Sequence, residues 1–323
     1  ASQTIETLAP TTEATTTAAE TTATEAQTTE SSAKPAAKPA APATAATTAQ
    51  ETAATTAATT AATTKPAVKA LAGTGKINIL MIGSDARAGL DGQRSDATML
   101  LTYDPAKKTI KLTSFMRDCY VAIPGHGSSK MNAAFNYGGE DLLIDTVRQN
   151  YAVDIDHYLT VRFEQFTAIV DQIGGITLPL SQAEIDWING DAGGVSNGEG
   201  VKLLNGAQAL SHSRNRHVGN GDFTRTARQR AVIRAIFAQL KTRNDAATVA
   251  ALVGFALGNV KTNVPADQIL TLASDVLTAD GVSFAEARVP FDGTWSYATI
   301  KGASVIKVDF AANNEKLRQF LDS

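Results

Sequence analysis

The chain has 323 residues, 19% of them charged, and a formal net charge of −3, a balance that excludes bulk electrostatic attraction to nucleic acid or to an anionic lipid surface. Cys119 is the single cysteine, which excludes an intramolecular disulfide and a cysteine-based metal site. No stretch approaches the roughly 18 consecutive apolar residues of a membrane-spanning helix.

Residues 1–76 hold no Phe, Trp or Tyr and are built almost entirely of Ala and Thr with Glu, Lys and Pro. Such a stretch cannot offset the roughly 1–2 kcal/mol of backbone entropy that each ordered residue costs, so it reads as a disordered linker, stiffest over the Pro-containing residues 34–42. The chain begins with Ala, and a long Ala/Thr spacer suits a domain held away from a surface. A removed N-terminal targeting or anchoring segment is therefore expected.

Residues 77–323 are expected to form one α/β domain. The runs 77–83, 97–104 and 109–115 predict strands, with Pro105, Lys107 and Lys108 marking a hairpin between the second and third. A loop with Pro124, Gly125 and Gly127 follows. Leu142, Leu143, Thr146 and Val147 predict a helix, 158–161 a strand, 163–173 a helix and 176–180 a strand after Gly174-Gly175. Residues 191–200 read as a Gly-rich, structureless surface loop. Helices are predicted from near Asn205, Asp222 and Pro265, and Ala250 to Leu257 reads as a core helix. Strands follow at 284–289 and 305–310, with a last helix carrying Leu317, Phe320 and Leu321. This alternation predicts a mostly parallel or mixed central sheet with helices on both faces.

Three constellations carry charge at strand or helix ends. Asp85 and Asp96 flank one loop between the first two strands, where they either hold a hard cation such as Mg²⁺ or cap turns beside Gly and Ser. Arg117 and Asp118 follow the third strand, with Lys130 after the Pro/Gly loop. Arg117 either forks onto a phosphate or pairs with Asp118 or Asp96. The segment from Arg214 to Arg234 holds six arginines and one acid, Asp222. Within it Ile233, Ile236, Phe237 and Leu240 form an inward helical stripe, and stepping back by fours places Gln229 and Arg225 on the same face, while Arg230 and Arg234 point away as a solvated face would. An inward Arg225 requires a bound anion, an acidic neighbour such as Asp222, or both. Arg214 and Arg216 arrive just before the helix N-terminus, which itself favours anions. The four histidines lack metal-binding helical spacing, and neither a nucleophile elbow nor a phosphate-binding Gly-rich loop is present.

The ordered segments INILMIGSDAR, RSDATMLLTYDP, LTSFMRDCYVAIPGHGSSKMNAAF, FTAIVDQIGGI, LNGAQALSHSRNR and GDFTRTARQR resemble the LytR-CpsA-Psr family of cell-wall enzymes. The resemblance implies a three-layer α/β/α fold with a mixed sheet. It also implies a phosphotransferase that moves a glycopolymer from a polyprenyl pyrophosphate carrier to peptidoglycan or a glycoprotein, on the outer face of a bacterial membrane. By motif, Asp85 and Asp96 would hold Mg²⁺, and Arg87, Arg94, Arg117, Arg214, Arg216, Arg225 and Gln229 would bind the pyrophosphate. Lys130 and Arg228 group with those ligands, and Arg117, Asp118 and Asp222 form the expected catalytic set. Asp118 or Asp96 would take the acceptor's proton, since arginine does not deprotonate at its ordinary pKa. The helices around 163–173 and 233–240 offer an apolar channel for the prenyl chain, or ordinary core. Members usually carry an N-terminal membrane helix, and a small hydroxyl residue is common where Cys119 stands. A pyrophosphatase using water as acceptor, or a non-catalytic wall-binding module, are the alternative readings.

Overall fold

The computed structural model describes residues 75–85, 95–242, 246–278 and 281–323, all within one compact unit, Thr64–Ser323. Residues 1–74 of the linker expected over residues 1–76, and Arg87 and Arg94, lie outside those residues.

Strand β1 (Ile77–Ser84) is the continuous apolar run and pairs antiparallel with β2 (Ser95–Asp104), which turns back into antiparallel β3 (Thr109–Phe115). Asp104 fixes that turn by accepting the backbone N–H groups of Ala106 and Lys107, each at 3.1 Å. The expected Pro/Gly loop is itself a small hairpin of β4 (Tyr120–Ile123) and β5 (Gly127–Lys130). Gly125 and Gly127 close it at φ of 74° and 71°, values a β-carbon would oppose. Helix α1 (Asn132–Tyr151) follows, kinked where Gly138 and Gly139 leave helical geometry. Then come β6 (His157–Arg162), α2 (Phe163–Gln172) and β7 (Ile176–Leu180). The Gly-rich loop joins α3 (Gln182–Asp191) to β8 (Gly200–Leu204), which pairs antiparallel with β7. Helices α4 (Gly206–Arg214), α5 (Gly221–Lys241) and α6 (Ala246–Gly258) lead to the short β9 (Lys261–Thr262) and α7 (Ala266–Thr278). The chain closes with β10 (Ser283–Val289), the hairpin β11 (Trp295–Ile300) and β12 (Ala303–Val308), and α8 (Phe310–Asp322).

The central sheet runs β10-β3-β2-β1-β6-β9 and is mixed: β1 with β6 and β3 with β10 are parallel, the remaining pairs antiparallel. Alternation along the strands buries both faces. Leu80, Ile82, Leu100 and Phe115 pack with Leu143, Val147 and Tyr151 of α1 and Leu317 of α8. Ile79, Met99, Leu101 and Leu112 pack on the other face with Ile233 and Phe237 of α5 and Leu272 of α7. This is the expected three-layer α/β/α arrangement. A third cluster, built from α2, α3, α4, β7, β8 and the inner side of α5, extends the core beside the sheet. Among the described residues no helix is long and apolar enough to cross a membrane.

Candidate functional site

The charged constellations meet at one end of the sheet, where β1 and β3 finish and β2 begins. Asp222, in the first turn of α5, is the hub. Its carboxylate faces Arg117 Nε at 3.1 Å, Arg216 Nε at 3.1 Å and Arg225 Nη2 at 3.4 Å. Asp96, one residue into β2, accepts from Arg117 Nη1 at 3.0 Å and lies 3.8 Å from Arg216 Nη2. Burial works to raise the Asp222 pKa, but the three guanidinium groups outweigh it and hold the carboxyl below its usual value of 3.8. The helix N-terminus favours the same charge. Arg225 is only 3% exposed, and its Nε has no hydrogen-bond partner among the described residues. Burial lowers its pKa to about 10, against the pull of Asp222, so it stays cationic at neutral pH.

From this cluster a cavity of about 390 Å³ runs inward between the sheet, α2, α4 and α5. Its lining changes along each element with distance from the charged end. On α5 Arg225 and Gln229 give way to Val232 and Ile233, and on β2 Asp96 gives way to Ala97 and Met99. Leu159, Val161, Phe163 and Phe166 complete the apolar wall. The guanidinium of Arg214 lies over the Phe163 ring, 4.8 Å from its centroid. Trp187 and His217 stack at 4.3 Å where α3 meets the loop after α4.

That loop is held by a hydrogen-bonded network centred on the buried Arg228. Ser181 and Glu184 form the capping box of α3, with Glu184 Oε2 accepting the Ser181 N–H at 3.0 Å. Glu184 Oε1 accepts from Arg228 Nε at 2.7 Å, and Arg228 donates from Nη1 to the Asn215 carbonyl at 3.1 Å and from Nη2 to the Val218 carbonyl at 2.9 Å. The Asn215 side chain in turn accepts the backbone N–H groups of His217 and Val218. Arg214 and Arg216 are thereby positioned from below. Burial raises the Glu184 pKa, but the hydrogen bonds from Arg228 and Ser181 prevail and leave it lowered.

Of the residues singled out in the sequence, the structure brings Asp96, Arg117, Arg214, Arg216, Asp222, Arg225 and Gln229 together. Arg228 is corrected as a pyrophosphate ligand, since its guanidinium is occupied by Glu184 and two carbonyls and does not line the cavity, and it supports the pocket through the loop it holds. Asp222 is an organiser of arginines rather than a proton acceptor, since its lowered pKa opposes that role. Lys130 lies away from the apolar cavity and pairs with Asp118 at 2.8 Å. Arg230 is corrected as well: it is buried, donating to Ser114 Oγ at 2.9 Å and to Glu286 at 3.0 Å, instead of facing solvent. Glu184, Trp187 and Asn215 were not singled out, although Ser181-x-x-Glu184 is a legible capping signal. Cys119 is fully buried, and its thiol pKa is pushed up to about 12 by that burial.

Asp85 and Asp96 leave adjacent strands at the same end of the sheet. Among the described residues no group of three or more His, Cys, Asp or Glu could hold a metal. Two carboxylates beside an arginine cluster still fit a hard cation that takes its remaining ligands from phosphate oxygens and water.

A mixed three-layer sheet with an apolar cavity closed by arginines defines an α/β domain suited to a ligand that is anionic at one end and apolar at the other. The chain belongs to the LytR_cpsA_psr family, whose model matches residues 43–319. It is 30% identical over 250 residues to regulatory protein MsrR of Staphylococcus aureus (strain COL), covering 77% of this chain and 75% of that one. It is 34% identical over 214 residues to the polyisoprenyl-teichoic acid–peptidoglycan teichoic acid transferase TagU of Enterococcus faecalis (strain ATCC 700802 / V583), covering 63% of this chain and 67% of that one. Among solved structures, the LytR-CPS2A-psr family protein YwtF (TagT) with bound octaprenyl pyrophosphate lipid matches with a TM-score of 0.60 and 26% identity, covering 77% of this chain and 91% of that one.

Proposed function

We propose that this protein is a phosphotransferase that moves a glycopolymer from a polyprenyl pyrophosphate carrier to a hydroxyl of peptidoglycan, or of a glycoprotein, at the outer face of a bacterial membrane. One observation carries the reading: Arg117, Arg216 and Arg225 converge on Asp222 at the charged end of an otherwise apolar cavity. A pyrophosphate joined to a prenyl chain has that same division of charge and grease. The likeness to TagU, named as a transferase, and to a TagT structure holding octaprenyl pyrophosphate supports it.

The arginines are held by carboxylates before any ligand enters, so donors already face the position where phosphate charge develops. The acceptor oxygen forms a bond to the phosphorus nearest the sugar, the bond from that phosphorus to the bridging oxygen breaks, and prenyl phosphate leaves with the electron pair. The hydroxyl proton passes to a carboxylate, for which Asp118 is the candidate: its near partner is the Lys130 ammonium at 2.8 Å and it lies 3.9 Å from Arg117, whereas Asp96 and Asp222 each have a guanidinium nitrogen of Arg117 at 3.0 and 3.1 Å. Mg²⁺ held by Asp85 and Asp96 would neutralise charge on the pyrophosphate oxygens.

The test follows a short-chain polyprenyl pyrophosphate saccharide by mass spectrometry with peptidoglycan oligomer present or absent and with Mg²⁺ or EDTA. Wild type should transfer saccharide to the oligomer only with metal, and Asp85→Ala and Arg225→Ala should each lose transfer at least a hundredfold. Release of prenyl phosphate at a rate indifferent to the oligomer would make the protein a hydrolase. An inert but folded wild type that still binds wall material would make it a binding module.

A further inference from the structure

A second cavity, of about 470 Å³, is lined by Arg117, Asp118 and Lys130 together with residues given no role above. The β4–β5 hairpin, the first turns of α1 and the β11–β12 hairpin build it. Backbone hydrogen bonds at Arg117 and Asp118 tie these elements together: Asn132 N–H donates to the Arg117 carbonyl at 3.2 Å and Ile306 N–H to the Asp118 carbonyl at 2.9 Å. Its chemistry differs from that of the first cavity. Tyr120 and Tyr137 present aromatic surface, Ser128, Ser129 and Asn136 present hydroxyl and amide groups, and Lys301 stands at the rim.

We propose that this cavity is the acceptor site, and that it takes a glycan strand of N-acetylated sugars bearing carboxylate groups. The proposal rests on the transferase reading above. Aromatic faces pack against the C–H faces of sugar rings, as the 47% exposed Tyr137, stacked on His126 at 4.8 Å, is free to do. Hydroxyl and amide side chains match sugar hydroxyls and N-acetyl groups. Among the described residues Lys301 forms no ion pair, so a carboxylate on the strand gives it one, whereas Lys130 is already paired with Asp118.

Placement separates acceptor from donor. An in-line displacement needs the attacking oxygen on the side of phosphorus away from the leaving prenyl phosphate. The apolar cavity lies on the Arg216 and Arg225 side of the cluster, and the polar cavity on the Arg117 and Asp118 side. An acceptor hydroxyl entering from the polar cavity meets Asp118, which receives its proton as the new P–O bond forms and the bond to the bridging oxygen breaks.

The experiment titrates the whole chain calorimetrically with a peptidoglycan tetrasaccharide carrying muramyl carboxylates, with neutral chitotetraose, and with a polyprenyl pyrophosphate saccharide, using wild type, Tyr137→Ala and Lys301→Glu. Both substitutions fall at exposed positions. Tyr137→Ala should weaken both glycans at least tenfold. Lys301→Glu should weaken the carboxylate-bearing glycan at least fivefold and chitotetraose less than twofold, and the prenyl pyrophosphate donor should bind both variants within twofold of wild type. Absence of glycan binding by wild type, or binding untouched by both substitutions, would overturn the site. Loss of donor affinity with acceptor affinity intact would also overturn it, making the cavity the seat of the donor's own saccharide. Glycan binding that depends on Tyr137 and Lys301 without any turnover would uphold the site while counting against the transferase reading.

Discussion

At the residue scale, Asp222 governs the charged end of the first cavity because three guanidinium groups depend on it. Asp222→Asn keeps the shape and removes the charge, so Arg117, Arg216 and the buried Arg225 lose their shared counterion. Donor affinity measured by calorimetry is expected to fall at least tenfold and kcat/KM at least a hundredfold, with the fold retained by circular dichroism. A second residue reports pH. His212 is 3% exposed, and burial lowers its pKa to about 4, against the opposing pull of Glu184. The unfolded chain takes up that proton near 6.5 while the native state resists it, so the contribution to stability is complete above pH 6.5 and is lost as pH falls toward about 4. Denaturant titrations at pH 7 and 5 should show wild type losing on the order of 2 kcal/mol and His212→Phe losing clearly less. Equal losses would remove His212 from the account. Arg225 and Gln229 were legible in the sequence because helical spacing carried the inward face back from Ile233. Arg230 was not, since its partners Ser114 and Glu286 lie on β3 and β10, far along the chain.

At the scale of elements, α3, α5 and the loop after α4 act through one side chain. Arg228 joins the capping carboxylate Glu184 to the carbonyls of Asn215 and Val218. Arg228→Met breaks a buried pair and leaves those acceptors unsatisfied, a loss of about 3–5 kcal/mol. Because Arg214 and Arg216 flank the loop, amide hydrogen exchange over residues 215–219 should quicken and donor affinity should drop, even though Arg228 lines no part of the cavity. Unchanged exchange there would refute the bracing role. Strands with strong apolar runs, such as β1 and β2, were legible. The pair α3 and β8 was harder to see: three of the five residues of β8 are exposed, Val201 by 69% and Leu203 by 64%, so its apolar residues do not mark a core-facing side.

At the scale of the whole molecule, the three-layer mixed sheet follows from alternating elements and from apolar residues on both strand faces. What the sequence could not convey is which loops meet. The β4–β5 and β11–β12 hairpins lie far apart along the chain and come together through the link from Ile306 to Asp118 and through the packing of Val121 and Ile123 with Ile306 and Val308. No local periodicity encodes such a contact.

Arg117 lines the polar cavity and pairs with Asp96, which lines the apolar one, and this arrangement has a kinetic consequence. On the proposed assignment each substrate would have its own entrance, so neither would have to depart before the other arrived, and no covalent enzyme intermediate would be needed to store the transferred group. Initial-rate plots at several fixed acceptor concentrations should therefore intersect rather than run parallel. Prenyl phosphate should inhibit competitively against the lipid-linked donor and not against the glycan. Parallel lines would mean a two-stage exchange through the protein itself, for which the buried, unreactive Cys119 offers no nucleophile.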